Sequence, residues 1–412
     1  MANTILTPQI ITREAMMILE NELTFTKYVN RSYEDQFARD GAKIGATLNI
    51  RLPAVYRVSS GPAIDVQDFV ETQYPLTVNQ QKHVDVQFSS QELTLSIQDF
   101  GQRVLKPAIS QLANQLDQDG MALSDQVYQS VGTPGTANTT LASYLAAGVA
   151  LDNSACPRDG DRSMVLTPQA QADAVGGFST IFNDQKTLGD QYLNGTMGRA
   201  IGFKWSMDQN VNNHTAGALG GTPAVNGANQ TGTSLITNGW TAAAAQRLNV
   251  GDIFTIAGVY KVNPKSKVSV GKLHQFVVTA AGSSDGSGNM TISISPAISP
   301  VTGSPNTNAQ ANVTNSPANS AAITVVGTAN SVTPQSLAFH KQAFTLACVD
   351  LEDVSKMGAW GARMSDKQLG ISMRVARQYN ISTDNFPCRI DILYGWGVPR
   401  PQLAVRVQGS NT

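Results

Sequence analysis

Charge is scarce in this sequence. Of its 412 residues, 14% are Asp, Glu, Lys or Arg, against roughly 25% in an average soluble protein. Hydrophobic residues make up 41%, so the polar surface has to be carried by Gly, Asn, Ser, Thr and Gln. Charged groups are depleted where surface ends up buried against a partner, because each would need a desolvated counterpart there. Composition alone leaves two readings open: a subunit that buries its surface in an assembly, or a secreted β-rich binding or adhesion protein. The 29 Lys and Arg are balanced by 30 Asp and Glu, so no polycationic field exists to neutralise a phosphate backbone and strong nucleic-acid binding is not expected. No stretch reaches the ~18 apolar residues that a spanning helix needs. The start, "MANTILTPQIITREAMM", lacks a basic segment followed by an apolar one, so neither export nor membrane attachment is expected. Cysteines number three, Cys156, Cys348 and Cys388. An odd, scattered set argues against a disulfide framework and fits a reducing cytoplasm, with all three read as buried small hydrophobes.

Signatures of chemistry are missing too. The four histidines, His83, His214, His274 and His340, form no H-x-x-x-H pair and lie near no cysteine cluster, so no metal or other cofactor is expected. Gly271-Lys272 is followed by Leu273, not by the Ser or Thr of a phosphate-binding loop. "GSSDG" at Gly282 to Gly286 matches the G-x-S-x-G pattern of serine hydrolases. That pattern works on a strand-to-helix turn, whereas the strand-like "NMTISIS" follows Ser284. No enzyme is expected.

What the sequence does contain is a succession of patterns. "TPQIITREAMMILENELTF" reads as one helix in an N-terminal arm, with Ile10, Ile11, Met17, Ile18 and Leu23 as its apolar stripe. From Gly45 the period becomes two, with Leu48, Ile50 and Leu52 facing one way and Thr47, Asn49 and Arg51 the other. The return through Tyr74, Leu76 and Val78 makes a long hairpin to about Asn79. Such a ribbon is marginal alone and should lean on its own core or on a neighbour. Phe100, Val104, Ala108, Leu112 and Leu116, then Leu123, Val127 and Val131, predict a helix over 97–131 that Pro107 starts or kinks. Short helices and strands follow over 141–215. Thr215 to Gly239 is loop or edge-strand material, and Arg247 to Ile298 is β, with "SSDGSGN" as hairpin turn chemistry. After a second low-charge run, "AITVVG" is again β, a mixed pattern resumes at Leu337 with "LAFHKQAFTLACVDLE", and "CRIDILYGWGVPRPQLAVRV" closes the chain as two strands joined by a Gly- and Pro-rich turn. The β block is bracketed by loops inside a larger domain, and is read as an insertion.

In that order of parts, and in "RLNVGDIFTIAGV", "DFGQRVLKPAISQLANQLDQDG" and "CRIDILYGWGVPRP", the chain resembles the major coat protein of P22-type short-tailed double-stranded DNA phages. The resemblance implies an α+β, Hong Kong 97-type capsid fold with an inserted β-barrel domain. It implies an N-terminal arm at 1–44, an E-loop hairpin at 45–79, and a P-domain with the spine helix at 80–139. An A-domain would follow, with first segment 140–221, then the inserted barrel at 222–340 and a final segment shared with the P-domain at 341–412. It implies a non-enzymatic major capsid subunit that self-assembles as hexamers and pentamers into an icosahedral shell. The expected partners are further copies, a separate scaffolding protein, a portal protein, and packaged DNA held without sequence-specific binding. Assembly would take place in the host bacterial cytoplasm. Arg51, Arg57, Asp65, Asp68 and Glu71 are the expected E-loop contacts, being concentrated charge in a charge-poor chain, and Glu14 and Glu20 the expected arm contacts, with arm and hairpin completed by neighbours. One departure stands out. "NGANQTGTSLITNGWTAAAAQ" carries no charge where the family's type member has an acidic loop that reaches a neighbouring capsomer.

Overall fold

In a computed structural model, residues 8–32, 47–56, 71–89, 106–178, 198–303, 308–352, 354–357, 360–366 and 370–409 are described, with isolated positions 58, 61, 62, 64 and 66. The chain divides into two compact units, one of Met1–Ile50, Gln73–Gly120 and Phe344–Pro399, the other of Arg51–Thr72, Met121–Ala343 and Arg400–Thr412.

The first unit is organised around one long strand, Asn385–Gly397. Its first ten residues pair with Gln80–Ser89 on one side. On the other side its middle pairs with Ile371–Arg377 and its end with Thr345–Cys348. Helix α1, Pro8–Glu22, packs against the strands Trp360–Asp366 and Ile371–Arg377 of the same unit. Its buried face is Thr12, Ala15, Met16, Leu19 and Leu23, a spacing of three and four residues that presents one side of a helix. This shifts the expected stripe: Met17 points to solvent, because the small Thr12 and Ala15 allow the closer approach. The buried face of α1 is covered by its own chain and is not left for a neighbour to cover.

Helix α2, Lys106–Met121, buries Ala108, Ile109, Leu112, Ala113 and Leu116, with Pro107 in its first turn, where a missing donor costs nothing. The expected start at 97 lies outside the described residues. The expected end at 131 is not found: after Met121 the chain tightens into a 3-10 turn at Ala122–Gln126 and then extends. Gly120 ends the regular packing, since a Cβ there would come within 2.7 Å of Trp396 and 2.9 Å of Phe25. Just before it, Asp117, itself buried, accepts hydrogen bonds from the amides of Thr24 (2.6 Å) and Thr26 (2.9 Å) and from the Thr26 hydroxyl. The end of the arm is thereby fixed to α2.

The second unit holds a mixed sheet in the order Ser130–Val131, Ala404–Gln408, Val332–His340, Arg162–Leu166, Phe203–Met207, Arg199–Ala200. Helices α3, Leu141–Asn153, and α4, Pro168–Phe178, lie against it. Its central strands are buried on both faces, so they show no alternation in sequence. The last segment of the chain is therefore divided: 344–399 belongs with α2, and Arg400–Thr412 with this sheet.

From this body a barrel is inserted. The strands run Ile323–Val325, Ile253–Val262, Ser269–Val278, Met290–Ile298, Gly232–Trp240, Gly221–Val225. The circle closes where the Val225 amide donates to Ala321 O and the Ser320 amide to Val225 O. Met290, Ile292 and Ile294 point inward while Thr291 and Ser293 face out, as the alternation predicts. They join Phe254, Ile256, Phe276 and Val278 in one apolar core. Gly232–Trp240 differs from expectation: it is an internal strand, paired on both sides. The insertion also ends earlier than 340. Its two stems, Asn213–Thr215 and the start of Val332–His340, pair with each other, and the rest of that second strand belongs to the body sheet.

Candidate functional site

Of the sequence-predicted contact residues, Arg51 and Glu71 face each other across the hairpin, Nη1 to Oε2 3.8 Å apart, Arg51 largely and Glu71 partly exposed. An exposed pair of this kind is worth at most about 1 kcal/mol, and its charges are already engaged within one chain. Arg57, Asp65 and Asp68 lie outside the described residues. Glu14 and Glu20 fall within α1, and their side chains lie outside the description. Of the expected charges, Arg51 and Glu71 are thus brought together, and the others lie outside the description. The base of the hairpin is apolar and held by its own chain: Ile50, Leu76 and Val78 are buried with Ala347, Leu351 and Leu393. Beyond that clasp Val55, Tyr56, Val58, Ile64 and Val66 are all exposed, Val58 and Ile64 at 92%. Between the acids of "AIDVQDFVE" stand apolar residues that the charge-based expectation leaves out, and the signal for them is the run of aliphatic side chains Val55, Val58, Ile64 and Val66.

A second constellation lies at the seam between barrel and body. The stems come together through the Ala216 amide on Ser331 O (2.9 Å) and the Asn330 amide on Gly217 O (3.1 Å). Beside them four charged groups converge. His214 has Nε2 2.8 Å from Asp252 Oδ1 and Nδ1 3.5 Å from Asp125 Oδ1. Asp252, buried in the barrel's first loop, also accepts from the amides of Gly217 (3.1 Å) and Asn249 (2.8 Å). Arg406, fully buried on a body strand, donates to Val127 O and to Gly251 O, each at 2.8 Å. Burial lowers its pKa to about 10 against the pull of Asp125 and Asp252. Gly251 has φ +94°, and a Cβ there would sit 2.9 Å from Asp125 Oδ1 and 3.0 Å from the His214 ring. Only a residue without a side chain lets the barrel loop come this close.

Further along the seam the Gln275 side chain acts as a ladder rung, accepting from the Ser130 amide (2.8 Å) and donating to Ser130 O (3.0 Å). Lys261 reaches from the barrel into the body, donating to Gln129 Oε1 (2.5 Å) and Ser154 Oγ (2.7 Å). Burial lowers its pKa to about 8, and Lys272 adds to this. His274 is stacked on Tyr128, ring centroids 5.5 Å apart. Burial lowers its pKa to about 3, so it is neutral, with Lys261 adding to the effect. None of this was legible beforehand, because the partners are scattered from Asp125 to Arg406.

Ser284 lies buried on a short strand, with its hydroxyl among the carbonyls of Thr241 and Ala243, both at 3.0 Å, and with Arg247 Nε 3.2 Å away. That is the environment of a structural serine. The three cysteines are buried and unbridged; burial pushes the Cys156 thiol up to about 11 and that of Cys388 upward. Of Asn226 to Gln246, the stretch without charge, Gly232–Trp240 is a strand of the barrel wall and Asn226–Asn229 an exposed turn before it. Gln230 there donates to Asn226 O and Ile236 O and accepts from the Ile236 amide.

Residues 1–409 match the sequence profile described as "P22 coat protein - gene protein 5". The chain belongs to the P22 coat protein family. Like that family it is a major capsid structural protein with a Hong Kong 97-type α+β fold. Among solved structures, one from Mycobacterium phage Che8 is 12% identical, with 93% of this chain and 90% of that chain covered and a TM-score of 0.46. The capsid of Cyanophage P-SCSP1u is also 12% identical, covering 90% and 85%, at 0.41. The CUS-3 coat protein I-domain is 32% identical over 26% of this chain and 95% of that one, at 0.19. All three TM-scores lie below 0.5, so the assignment rests on the family profile. A search of curated proteins finds no match.

Proposed function

We propose that this P22-family coat protein is the repeating tile of an icosahedral phage head, closing as hexamers and pentamers around packaged double-stranded DNA, and that the hairpin tip of each copy docks on the next. The observation that carries this reading is the contrast within the hairpin: a base clasped by Ala347, Leu351 and Leu393 and a tip with its aliphatic side chains in water. Exposed apolar groups clustered on one limb mark an interaction surface. A shell multiplies each weak contact over many copies and closes it by symmetry.

In this reading the apolar residues supply the attraction, while Arg57, Asp65 and Asp68 set register against the neighbour. Arg51 and Glu71 stiffen the ribbon. Glu14 and Glu20 offer acidic contacts on the arm to a separate scaffolding protein. Residues 1–44, 45–79 and 80–139 serve as arm, E-loop and P-domain, with much of 344–399 joining the P-domain. The body sheet of the second unit is the A-domain, and the barrel is the inserted domain. A portal protein occupies one vertex, assembly proceeds in the host cytoplasm, and the subunit carries no catalysis of its own.

Co-expression with the scaffolding protein, followed by electron microscopy and sedimentation, tests this. Wild-type chain should give closed shells, and Val58→Asp with Ile64→Asp should leave folded, unassembled subunits. Shells from the double variant at wild-type yield would refute the tip as the docking element, and wild-type chain that stays monomeric with scaffold would refute the tile.

A further inference from the structure

We infer that His214 is a proton-operated latch between the inserted barrel and the body: with both ring nitrogens protonated it ties Asp125 to Asp252, and on losing a proton it lets the seam loosen.

The argument starts from valence. A neutral imidazole has one N–H and can donate to one partner only, yet here each ring nitrogen faces a carboxylate, one from the body and one from the barrel. The charges that face the ring come from three elements: Asp125 on the 3-10 turn, Asp252 on the loop before Ile253–Val262, and Arg406 on the strand Ala404–Gln408. The strand paired with His214 contributes Thr333, which is uncharged. With His214 protonated, two cations meet two carboxylates. Without that proton one carboxylate is left uncompensated in a partly buried site, which is costly.

Burial alone would strip the proton from His214. The hydrogen bond to Asp252 and the Asp125 carboxylate 3.5 Å away outweigh burial and the Arg406 charge and hold its pKa above the ordinary 6.5. The sign follows: the contribution of a cation with a raised pKa is complete below 6.5 and is lost as pH climbs through the folded value. Asp252 holds the amides of Gly217 and Asn249 as well, so loosening its link to His214 is felt just beyond the first stem and in the loop before Ile253–Val262.

Hydrogen exchange of the full-length chain, corrected for the intrinsic pH dependence of exchange, reads this at the Gly217 and Asn249 amides. Between about pH 6 and pH 9 the wild type should lose protection roughly tenfold for each pH unit by which the His214 pKa exceeds 6.5. His214→Gln should show no step, and Asp125→Asn should move the step to lower pH. Lys261 also loses its proton near pH 8, so Lys261→Met is the control in which the step must persist. NMR of the four histidine side chains in wild-type protein gives the midpoint directly, whether or not a variant folds. A His214 midpoint at or below 6.5, or a wild-type exchange profile without a step where His214 titrates, overturns the latch.

Discussion

The hairpin and the inserted barrel are anchored by opposite chemistry. The hairpin is held at its base by aliphatic contacts among Ile50, Leu76, Val78, Leu351 and Leu393, and Val55, Val58, Ile64 and Val66 beyond it are exposed. The barrel has a complete core of its own and meets the body through Arg406, His214, Asp125, Asp252, Lys261 and Gln275. Apolar burial is strong but non-directional, and suits a limb that must still settle on a neighbour. Buried ion pairs add little net stability because desolvation offsets their attraction, but breaking one is expensive. They suit a joint whose geometry must be unique.

The largest effect should come from Arg406→Met. Removing this fully buried guanidinium orphans the carbonyls of Val127 and Gly251 and takes a positive charge from beside Asp125 and Asp252; two hydrogen bonds from a charged donor, at roughly 1.5–3 kcal/mol each, put the cost at about 3–5 kcal/mol. Chemical unfolding monitored by circular dichroism measures it. Next is acid. His274 has a pKa near 3 in the folded chain against 6.5 ordinarily, so its contribution is present above 6.5 and is lost as pH falls toward 3. At 1.36 kcal/mol per unit, roughly 3 kcal/mol should be gone by about pH 4, and His274→Phe should flatten that slope in a pH series of unfolding curves.

Gly251→Ala should cost about 2 kcal/mol, combining a strained positive φ with the approach to Asp125 and His214; thermal unfolding reads it. At the other limb the expectation reverses. Val58→Asp or Ile64→Asp should change monomer stability by less than about 0.5 kcal/mol while abolishing shells in sedimentation. If the tip variants cost as much stability as the seam variants, the contrast between the limbs fails.

The sequence announced the limbs better than their joints. The alternation of Met290, Ile292 and Ile294, and of Leu48, Ile50 and Leu52, named their buried faces, because a two-residue period has one physical cause. Gly232–Trp240 was hidden because Gly, Thr, Ser and Asn dominate a strand whose few inward residues, Leu235, Thr237 and Trp240, are not periodic enough to declare it. The end of α2 was hidden because Leu123, Val127 and Val131 keep a helical rhythm past Gly120, where contact with Phe25 and Trp396 decides the packing. The seam was invisible for a different reason: a lone His, two Asp and an Arg separated by long stretches of chain acquire meaning only when folding makes them neighbours.

The stem geometry has one more consequence. The strands that leave for the barrel and come back from it lie side by side, joined by the Ala216–Ser331 and Asn330–Gly217 hydrogen bonds. The barrel thus hangs on the body like a bead on a closed loop of thread, and a foreign domain whose two termini are adjacent could take its place without reopening the sheet beneath.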